Sequence, residues 1–228
     1  MRGIFITFEG TEGSGKSTQI SILAETLRAL NHSVRTLREP GGTPIGEEIR
    51  HTLKHSNANH AMTPETELLL LNASRAQLVR EVIEPALAAG EIVLCDRFYD
   101  SSVAYQCFGR GLDADMVENI IDIAVGSTRP DLTLLLMVPV DVSETRRVSR
   151  QMDSAPARDR MEEADRDFFQ RVEDGYKAIA AKDPGRIHVI DATQSIESVA
   201  KAIWAQTASW ASSTGILPVP GAWNLASR

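Results

Sequence analysis

Residues 10–18, GTEGSGKST, combine glycines, one lysine and hydroxyl side chains at the spacing G-x-x-x-x-G-K-[ST]. Glycines at this spacing let backbone N–H groups converge on phosphate oxygens, and a helix that starts there adds partial positive charge. Lys16 is then expected to reach the β- and γ-phosphates of a nucleotide, and the Ser17 hydroxyl to ligate Mg²⁺. An apolar run precedes the stretch and apolar residues at helical spacing follow it, which is the strand–loop–helix context that the motif requires.

A single lysine supplies too little positive charge for phosphoryl transfer, whose transition state is stabilised by several cationic groups. Residues 11–14 of the loop, TEGS, include no basic side chain. Three other segments are unusual for plain surface: REPGGTPIGEEIR at 38–50, NASRAQ at 72–77 and CDRFYDSSVAYQ at 95–106. The last of these follows an apolar run, so Asp96 and Arg97 are expected at the carboxyl end of a strand, where open α/β sheets bind ligands.

Short apolar runs alternate with helical periods along the chain. Strands are predicted at 4–8, 32–37, 91–95, 132–138 and 186–190; helical stretches follow Lys16 and lie at 45–53, 65–89, 115–125, 142–150, 162–181 and 195–208. Strands separated by helices need crossover connections, so the pattern predicts an α/β fold with a parallel sheet of about five strands and helices on both faces. A polar segment at about 147–160 is expected to form a mobile lid, and the alternative for residues 151–160 is an ordinary loop between two helices.

Composition limits the function classes. The chain has 228 residues and a formal net charge of −7 at pH 7, which argues against a protein whose main role is to bind nucleic acid. No apolar run approaches the length of a membrane span. The two cysteines, Cys95 and Cys107, lack metal or redox spacing, so a reduced cytoplasmic setting is expected. Residues 1–208 are predicted to form one domain, and the Pro/Gly/Ser-rich tail 209–228 to be poorly ordered and to add little to the core.

Together, the segments FEGTEGSGKST, REPGGTPIGEEIR, CDRFYDSSVAYQ and IDATQSIESV resemble the thymidylate kinase (dTMP kinase) family, in the same order along the chain. The resemblance covers about residues 4–208. It implies the three-layer P-loop fold, transfer of the γ-phosphoryl group of ATP to dTMP with Mg²⁺, a cytoplasmic enzyme of nucleotide biosynthesis and a homodimer. It also implies the bacterial branch of the family, in which lid arginines supply the missing positive charge.

The resemblance also assigns the residues around the phosphates. Arg50 and Arg97 resemble those that hold the acceptor phosphate, and Glu12 those close to metal and acceptor. Asp96 and Ser17 would hold the metal. For Arg97 the alternative is a structural ion pair with Asp96, and for Arg50 a solvated helix face.

Glu39 resembles a family residue near the acceptor site, and its alternative is to cap the turn at Pro40 and Gly41. The triphosphate would be bound by the loop residues Gly10, Thr11, Glu12, Gly13, Ser14, Gly15, Lys16, Ser17 and Thr18. The adenine would sit between Arg146 and the segment DATQ at 191–194.

For the thymine, the resemblance implies that Arg75 donates to the O4 side and that Ser102 and Gln106 meet the edge that carries N3. Tyr105 would pack on the sugar and exclude a 2′-hydroxyl; the alternative is a half-buried core residue. The family usually has Phe where this chain has Leu71, so stacking on the base is weakened here.

Four lid arginines, at 147, 150, 158 and 160, are candidates for the missing charge, Arg150 first and Arg160 second. Arg150 and Arg160 form the predicted catalytic set with Lys16, Arg97 and Glu12. The alternative for any one lid arginine is a solvated ion pair with Asp159. Three other functions fit a P-loop: a kinase for another nucleoside monophosphate, a deoxynucleoside kinase, and an ATPase switch that binds a partner protein. A deoxynucleoside kinase needs a carboxylate base near the sugar hydroxyl, and Glu39 is the main candidate.

Overall fold

The computed structural model describes residues 2–56, 59–153 and 165–215, without the side chains of Arg147 and of residues 150–153. Its centre is a five-stranded sheet in the order β2-β3-β1-β4-β5, and every neighbouring pair is parallel. The strands are β1 Ile4–Glu9, β2 Val34–Arg38, β3 Ile92–Asp96, β4 Leu132–Met137 and β5 Ile187–Asp191. The predicted parallel sheet of about five strands is confirmed.

Nine α-helical segments lie in the described ranges: α1 Lys16–Ala29, α2 Pro44–Lys54, α3 Pro64–Leu78, α4 Glu84–Ala88, α5 Tyr99–Ser102, α6 Ala114–Val125, α7 Val140–Asp153, α8 Arg166–Lys182 and α9 Ile196–Thr214. Helix α3 runs into α4 through a π-helical turn at Val79–Ile83, so the predicted stretch 65–89 is helical almost throughout. Helix α5 continues into a π-helical segment, Val103–Gly109, which the sequence pattern did not predict.

The sheet is buried on both faces because successive side chains of a strand point to opposite sides. Ile6 and Phe8 of β1 pack on one face with residues of α1 and α9, such as Leu27 and Trp204. Phe5 packs on the other face with residues of α3 and α6. Helices therefore cover both faces, and the three-layer expectation is confirmed.

The end of the chain differs from the prediction. Helix α9 continues past residue 208 to Thr214, and Trp210 and Ala211 are buried against the core formed with α1. The folded unit therefore includes residues that the sequence pattern assigned to the tail, because Trp210 and Ala211 lie three and four residues after the buried Thr207 and extend the packed face of the helix. The remainder of the tail, 216–228, lies outside the described residues.

No described helix is both long and apolar enough to cross a membrane.

Candidate active site

The carboxyl ends of three adjacent strands carry the predicted site. Strand β3 lies between β2 and β1, so Asp96 at its end lies between the segment after Arg38 and the loop after Glu9. A cavity of about 480 Å³ opens at this edge. It is lined by most of the predicted residues: Glu12, Gly13, Gly15, Lys16, Ser17, Thr18, Glu39, Arg50, Leu71, Arg75, Asp96, Arg97, Ser102, Tyr105, Gln106 and Arg146.

The loop between β1 and α1 leads into a helix start that no side chain caps. Gly15 precedes the helix with a φ of 91°, which favours glycine. The first N–H groups of α1 thus have no side-chain acceptor. Gly10, Thr11 and Ser14 shape the loop but do not line the cavity.

Lys16 lies folded back on this loop. Its Nζ donates to the carbonyl oxygens of Gly10 and Thr11, each at 3.0 Å. Burial and the nearby Arg97 charge lower the pKa of Lys16 to about 8. Its hydrogen-bond partners are neutral carbonyl groups, and the nearby Asp96 and Glu12 charges only partly offset the lowering of its pKa. A bound phosphate would supply further negative charge.

Ser17 and Asp96 lie together: Ser17 Oγ donates to Asp96 Oδ2 at 2.8 Å. Both contribute oxygen atoms, the donor type that Mg²⁺ prefers. Among the described residues, no three His, Cys, Asp or Glu side chains cluster as metal ligands. This donor set fits an Mg²⁺ ion that takes few protein ligands and completes its coordination with water and substrate phosphates.

Arg97 makes four side-chain hydrogen bonds. Its Nη2 donates to Glu12 Oε1 at 2.9 Å and to the Tyr105 hydroxyl at 3.2 Å, and its Nη1 donates to Ser101 Oγ and Tyr176 OH. Arg97 therefore forms its ion pair with Glu12 and not with Asp96. Burial alone would raise the pKa of Glu12, but the Arg97 and Lys16 charges hold it well below its usual range.

The backbone of Arg97 is also unusual, with a φ of 68° in the left-handed region. A non-glycine residue there stores strain of about 1–3 kcal/mol, which is typical of functional sites.

The carboxylate of Glu9 is buried next to Arg97. Glu9 accepts from Phe98 N at 2.8 Å, from Ser101 Oγ at 2.6 Å and from Tyr176 OH at 3.1 Å. Burial and the Asp100 charge raise the pKa of Glu9 to about 7.

Arg75 lies at the inner end of the cavity and is almost fully buried. It pairs with Glu39 Oε2 at 2.8 Å and donates to Asn72 Oδ1, Ser102 Oγ and the Phe98 carbonyl oxygen. Burial raises the pKa of Glu39, and the Arg75 charge opposes that shift.

Other groups occupy the positions that Glu39 would take as a turn cap. The backbone N–H groups of Gly41 and Gly42 donate to Ser74 Oγ and Glu47 Oε1. Arg50 lines the cavity and its Nη1 donates to the Pro40 carbonyl oxygen at 2.9 Å. Leu71 and Tyr105 are buried residues that line the same cavity.

Helix α7 is fastened to the phosphate loop. Ser143 Oγ donates to the Glu12 carbonyl oxygen at 2.6 Å. One turn later, Arg146 donates to the carbonyl oxygens of Ala192 at 2.9 Å and Gly13 at 3.4 Å, so it bridges the phosphate loop and the DATQ segment. The side chains of the four lid arginines lie outside the described part of the chain, and they stay predictions.

Several cavity residues were not singled out from the sequence: Arg38, Pro40, Lys54, Ser101 and Phe169. Tyr176, a partner of Arg97 and Glu9, was also missed. Arg38, Pro40 and Ser101 lie inside segments that were already noted, so proximity in sequence could have found them. Phe169 and Tyr176 lie on α8 at ordinary core spacing, which gives no signal of a site.

Comparisons of the sequence and of the structure with known proteins agree on one family. A family model described as thymidylate kinase matches residues 8–203. A thymidylate kinase of Kosmotoga olearia is 50% identical over 196 residues, which is 86% of this chain and 91% of the relative. One of Desulforudis audaxviator is 48% identical over 207 residues, 90% of each chain. The crystal structure of thymidylate kinase from Ehrlichia chaffeensis has a TM-score of 0.72 and 32% identity, and the match covers 91% of this chain and 100% of that one.

Proposed function

The chain belongs to the thymidylate kinase family and phosphorylates dTMP with ATP, and from this premise we propose which residues bind the two nucleotides and stabilise the transfer. The observation that carries the proposal is that one cavity contains both the phosphate loop and a buried group of polar side chains suited to a base. The product, dTDP, lies on the route to dTTP.

The acceptor phosphate of dTMP is mostly dianionic at pH 7, so the reaction needs no general base. It needs a fixed direction of approach and positive charge. We assign Arg50 and Arg97 to the acceptor phosphate, since planar guanidinium groups bind phosphate with directionality. Lys16 binds the transferred group, and Glu12 keeps Arg97 in place through the 2.9 Å contact.

At the inner end, Arg75 donates to thymine O4 and Ser102 and Gln106 meet the N3 edge. Leu71 covers the ring, and Tyr105 packs on the sugar where a 2′-hydroxyl would need space. Arg75 lines the cavity and donates to Ser102 Oγ at 3.0 Å, which supports placing both side chains at the same edge of the base.

For Mg²⁺, Ser17 and Asp96 are the proposed protein ligands, and their 2.8 Å contact supports the pairing. A bound Mg²⁺ ion would neutralise charge on the phosphates. For adenine, Arg146 and the DATQ segment are proposed, together with the loop residues 10–18. Arg150 and Arg160 are the proposed lid arginines.

The position of Glu39 helps to decide between a nucleoside monophosphate and a deoxynucleoside as the acceptor. A deoxynucleoside kinase would need a carboxylate that is free to accept the sugar hydroxyl proton. The Glu39 carboxylate pairs with Arg75 at 2.8 Å in a buried position. This pairing supports the monophosphate as the acceptor.

The test is ADP release with ATP and Mg²⁺, measured without acceptor, with dTMP and with thymidine. ADP release should depend on dTMP, with an equal amount of dTDP formed. Equal release without acceptor would indicate an ATPase switch, and phosphorylation of thymidine would indicate a nucleoside kinase. Lys16→Ala should abolish the dTMP-dependent rate, whereas Lys182→Ala, at an exposed site at the end of α8, should leave it unchanged.

We propose that the protein forms a homodimer and that it acts in the cytoplasm. Support for a dimer comes from Leu69 and Ile123, which are 56% and 81% exposed on helices that pack against each other, α3 and α6. Light scattering should give twice the monomer mass for the parent and a smaller mass for Ile123→Lys. Both cysteines are free thiols, which suits a reducing compartment.

A further inference from the structure

A buried carboxylate on α3 fixes the orientation of Gln106. Gln106 Nε2 donates to Glu67 Oε1 at 2.8 Å, and both side chains are fully buried. A carboxylate that is held by a guanidinium only accepts hydrogen bonds, so the amide group must turn its NH₂ end, and not its oxygen, toward Glu67. The amide oxygen is then directed away from Glu67.

Arg110 holds this carboxylate. Its Nε donates to Glu67 Oε1 at 3.2 Å and its Nη2 donates to Glu67 Oε2 at 3.0 Å. The Arg110 guanidinium also lies over the Phe168 ring, with 4.6 Å from Cζ to the ring centroid. Contacts on two sides fix Arg110, and through it Glu67, in one position.

The oxygen of Gln106 is an unsatisfied acceptor. Gln106 Oε1 is buried and has no hydrogen-bond partner among the described residues, although Gln106 lines the nucleotide cavity. A buried acceptor without a partner is costly, and its cost is removed when a ligand supplies a donor. Thymine and uracil carry a hydrogen on N3, whereas cytosine carries a lone pair there.

We propose that Glu67, held by Arg110, is a positioning residue that makes Gln106 an acceptor toward the base and so selects pyrimidines with an N3–H group. The inference rests on the proposed function, since it requires the base to lie at the inner end of this cavity. Glu67 contacts no substrate atom; it acts through the Gln106 amide.

The probe is 3-deaza-dTMP, in which carbon replaces N3 and the ring takes the 4-hydroxy-2-pyridone form, so that no N3–H remains. The change at O4 is the same for every variant, so the readout is the difference in preference between the parent and each variant. The parent should prefer dTMP by at least about tenfold in kcat/KM, mainly through KM. In Glu67→Met, the Gln106 amide loses the acceptor that holds its NH₂ end, so the amide is free to turn. The preference for dTMP over the probe should then fall to within about threefold, with kcat for dTMP and KM for ATP changed less than threefold.

Further variants test whether Glu67 positions the Gln106 amide or only stabilises the fold. Glu65→Met makes the same change on the exposed side of α3 and should keep the parent's preference. Gln106→Ala should lose the preference, and adding Glu67→Met to it should change the preference no further. Glu67→Gln keeps one acceptor and should lie between the parent and Glu67→Met, which provides a test if the Met variant fails to fold.

A parent that does not form dTDP would overturn the proposed function and this inference with it. A parent that forms dTDP but treats dTMP and 3-deaza-dTMP alike would overturn the inference alone. The same holds if a folded Glu67→Met retains the full preference, because Glu67 would then serve only the stability of the fold.

Discussion

At the scale of single residues, the site gathers more positive charge than the phosphate loop supplies. Lys16, Arg97 and Arg50 line one cavity, and Glu12 forms an ion pair with Arg97. Burial and, after it, the nearby Arg97 charge lower the pKa of Lys16 in the free protein. Anionic substrates supply the opposite charge. Two predictions belong to the scale of single residues.

The first concerns pH. Since the pKa of Lys16 is about 8 without ligand, kcat/KM for ATP should fall above pH 8, by about tenfold per unit at high pH. Bound phosphates favour the charged ammonium, so kcat should stay level to higher pH. Rate profiles from pH 6.5 to 10 check this. Lys16→Arg, which does not titrate in this range, should lose the decline in kcat/KM; a parent profile that is flat to pH 9.5 would contradict the prediction.

The second concerns Leu71, which lines the cavity and is 9% exposed. Leu71→Phe should lower the KM for dTMP by about three- to tenfold, with kcat little changed. An aromatic contact with a base is worth about 1–3 kcal/mol, and leucine already provides part of that by burial. Steady-state kinetics measure the change. An unaltered KM in a folded variant would mean that the base lies elsewhere.

At the scale of elements, the π-helical segment Val103–Gly109 and helix α8 form one side of the site. Tyr105 and Gln106 belong to the first and Tyr176 to the second, so their packing sets how these side chains meet. The two elements approach closely at Gly109. A Cβ atom there would lie 2.7 Å from Phe168 Cε2 and 3.0 Å from Val172 Cγ2, both in the core.

Gly109→Ala should therefore lower the free energy of unfolding by about 1–3 kcal/mol, because the buried Phe168 ring has no room to withdraw. Gly185→Ala is the matched control, since a Cβ atom at Gly185 would meet nothing within 4 Å. Its effect should be within about 0.5 kcal/mol. Urea titration of the two variants measures the difference, and equal stabilities would contradict the proposed close contact.

Helix α7 connects the phosphate loop to the segment with the lid arginines, through Ser143 and Arg146. Replacing each of the four arginines singly by Ala should identify one whose loss lowers kcat by about 10³–10⁵, with dTMP affinity within threefold. Arg150 and Arg160 are the first choices. Arg166→Ala, at the exposed start of α8, is the control. If all four variants keep kcat within about tenfold, no single lid arginine supplies the charge.

At the scale of the whole molecule, the boundary of the folded unit can be tested by truncation. Ending the chain after Ala208 removes Trp210 and Ala211 from the core and should cost about 2–4 kcal/mol of stability. Ending it after Gly215 keeps all of α9 and should cost less than about 0.5 kcal/mol. Chemical denaturation compares the two. A large loss on removing 216–228 alone would show that the tail stabilises the domain.

The sequence by itself determined the local features. Spacing and periodicity predict the phosphate loop, the five strands, most helices and the segments that surround the cavity. Both patterns depend on which nearby residues share a face. The π-helical segment at 103–109 was missed because its composition, VAYQCFG, has no clear helical period. Helix α9 was ended early because serines around Trp210 resemble the start of a tail.

Only the tertiary structure decided which side chains meet. Arg97 pairs with Glu12, 85 residues away, and not with its neighbour Asp96; Glu67 and Gln106 are 39 residues apart. Such contacts depend on the sheet order β2-β3-β1-β4-β5 and on the packing of α3 and α8 around its edge. Periodicity shows that a residue is buried, but the side chain that forms its hydrogen bond or ion pair comes from a different element. The charge and hydrogen-bond geometry of the site therefore arise only when the sheet has assembled.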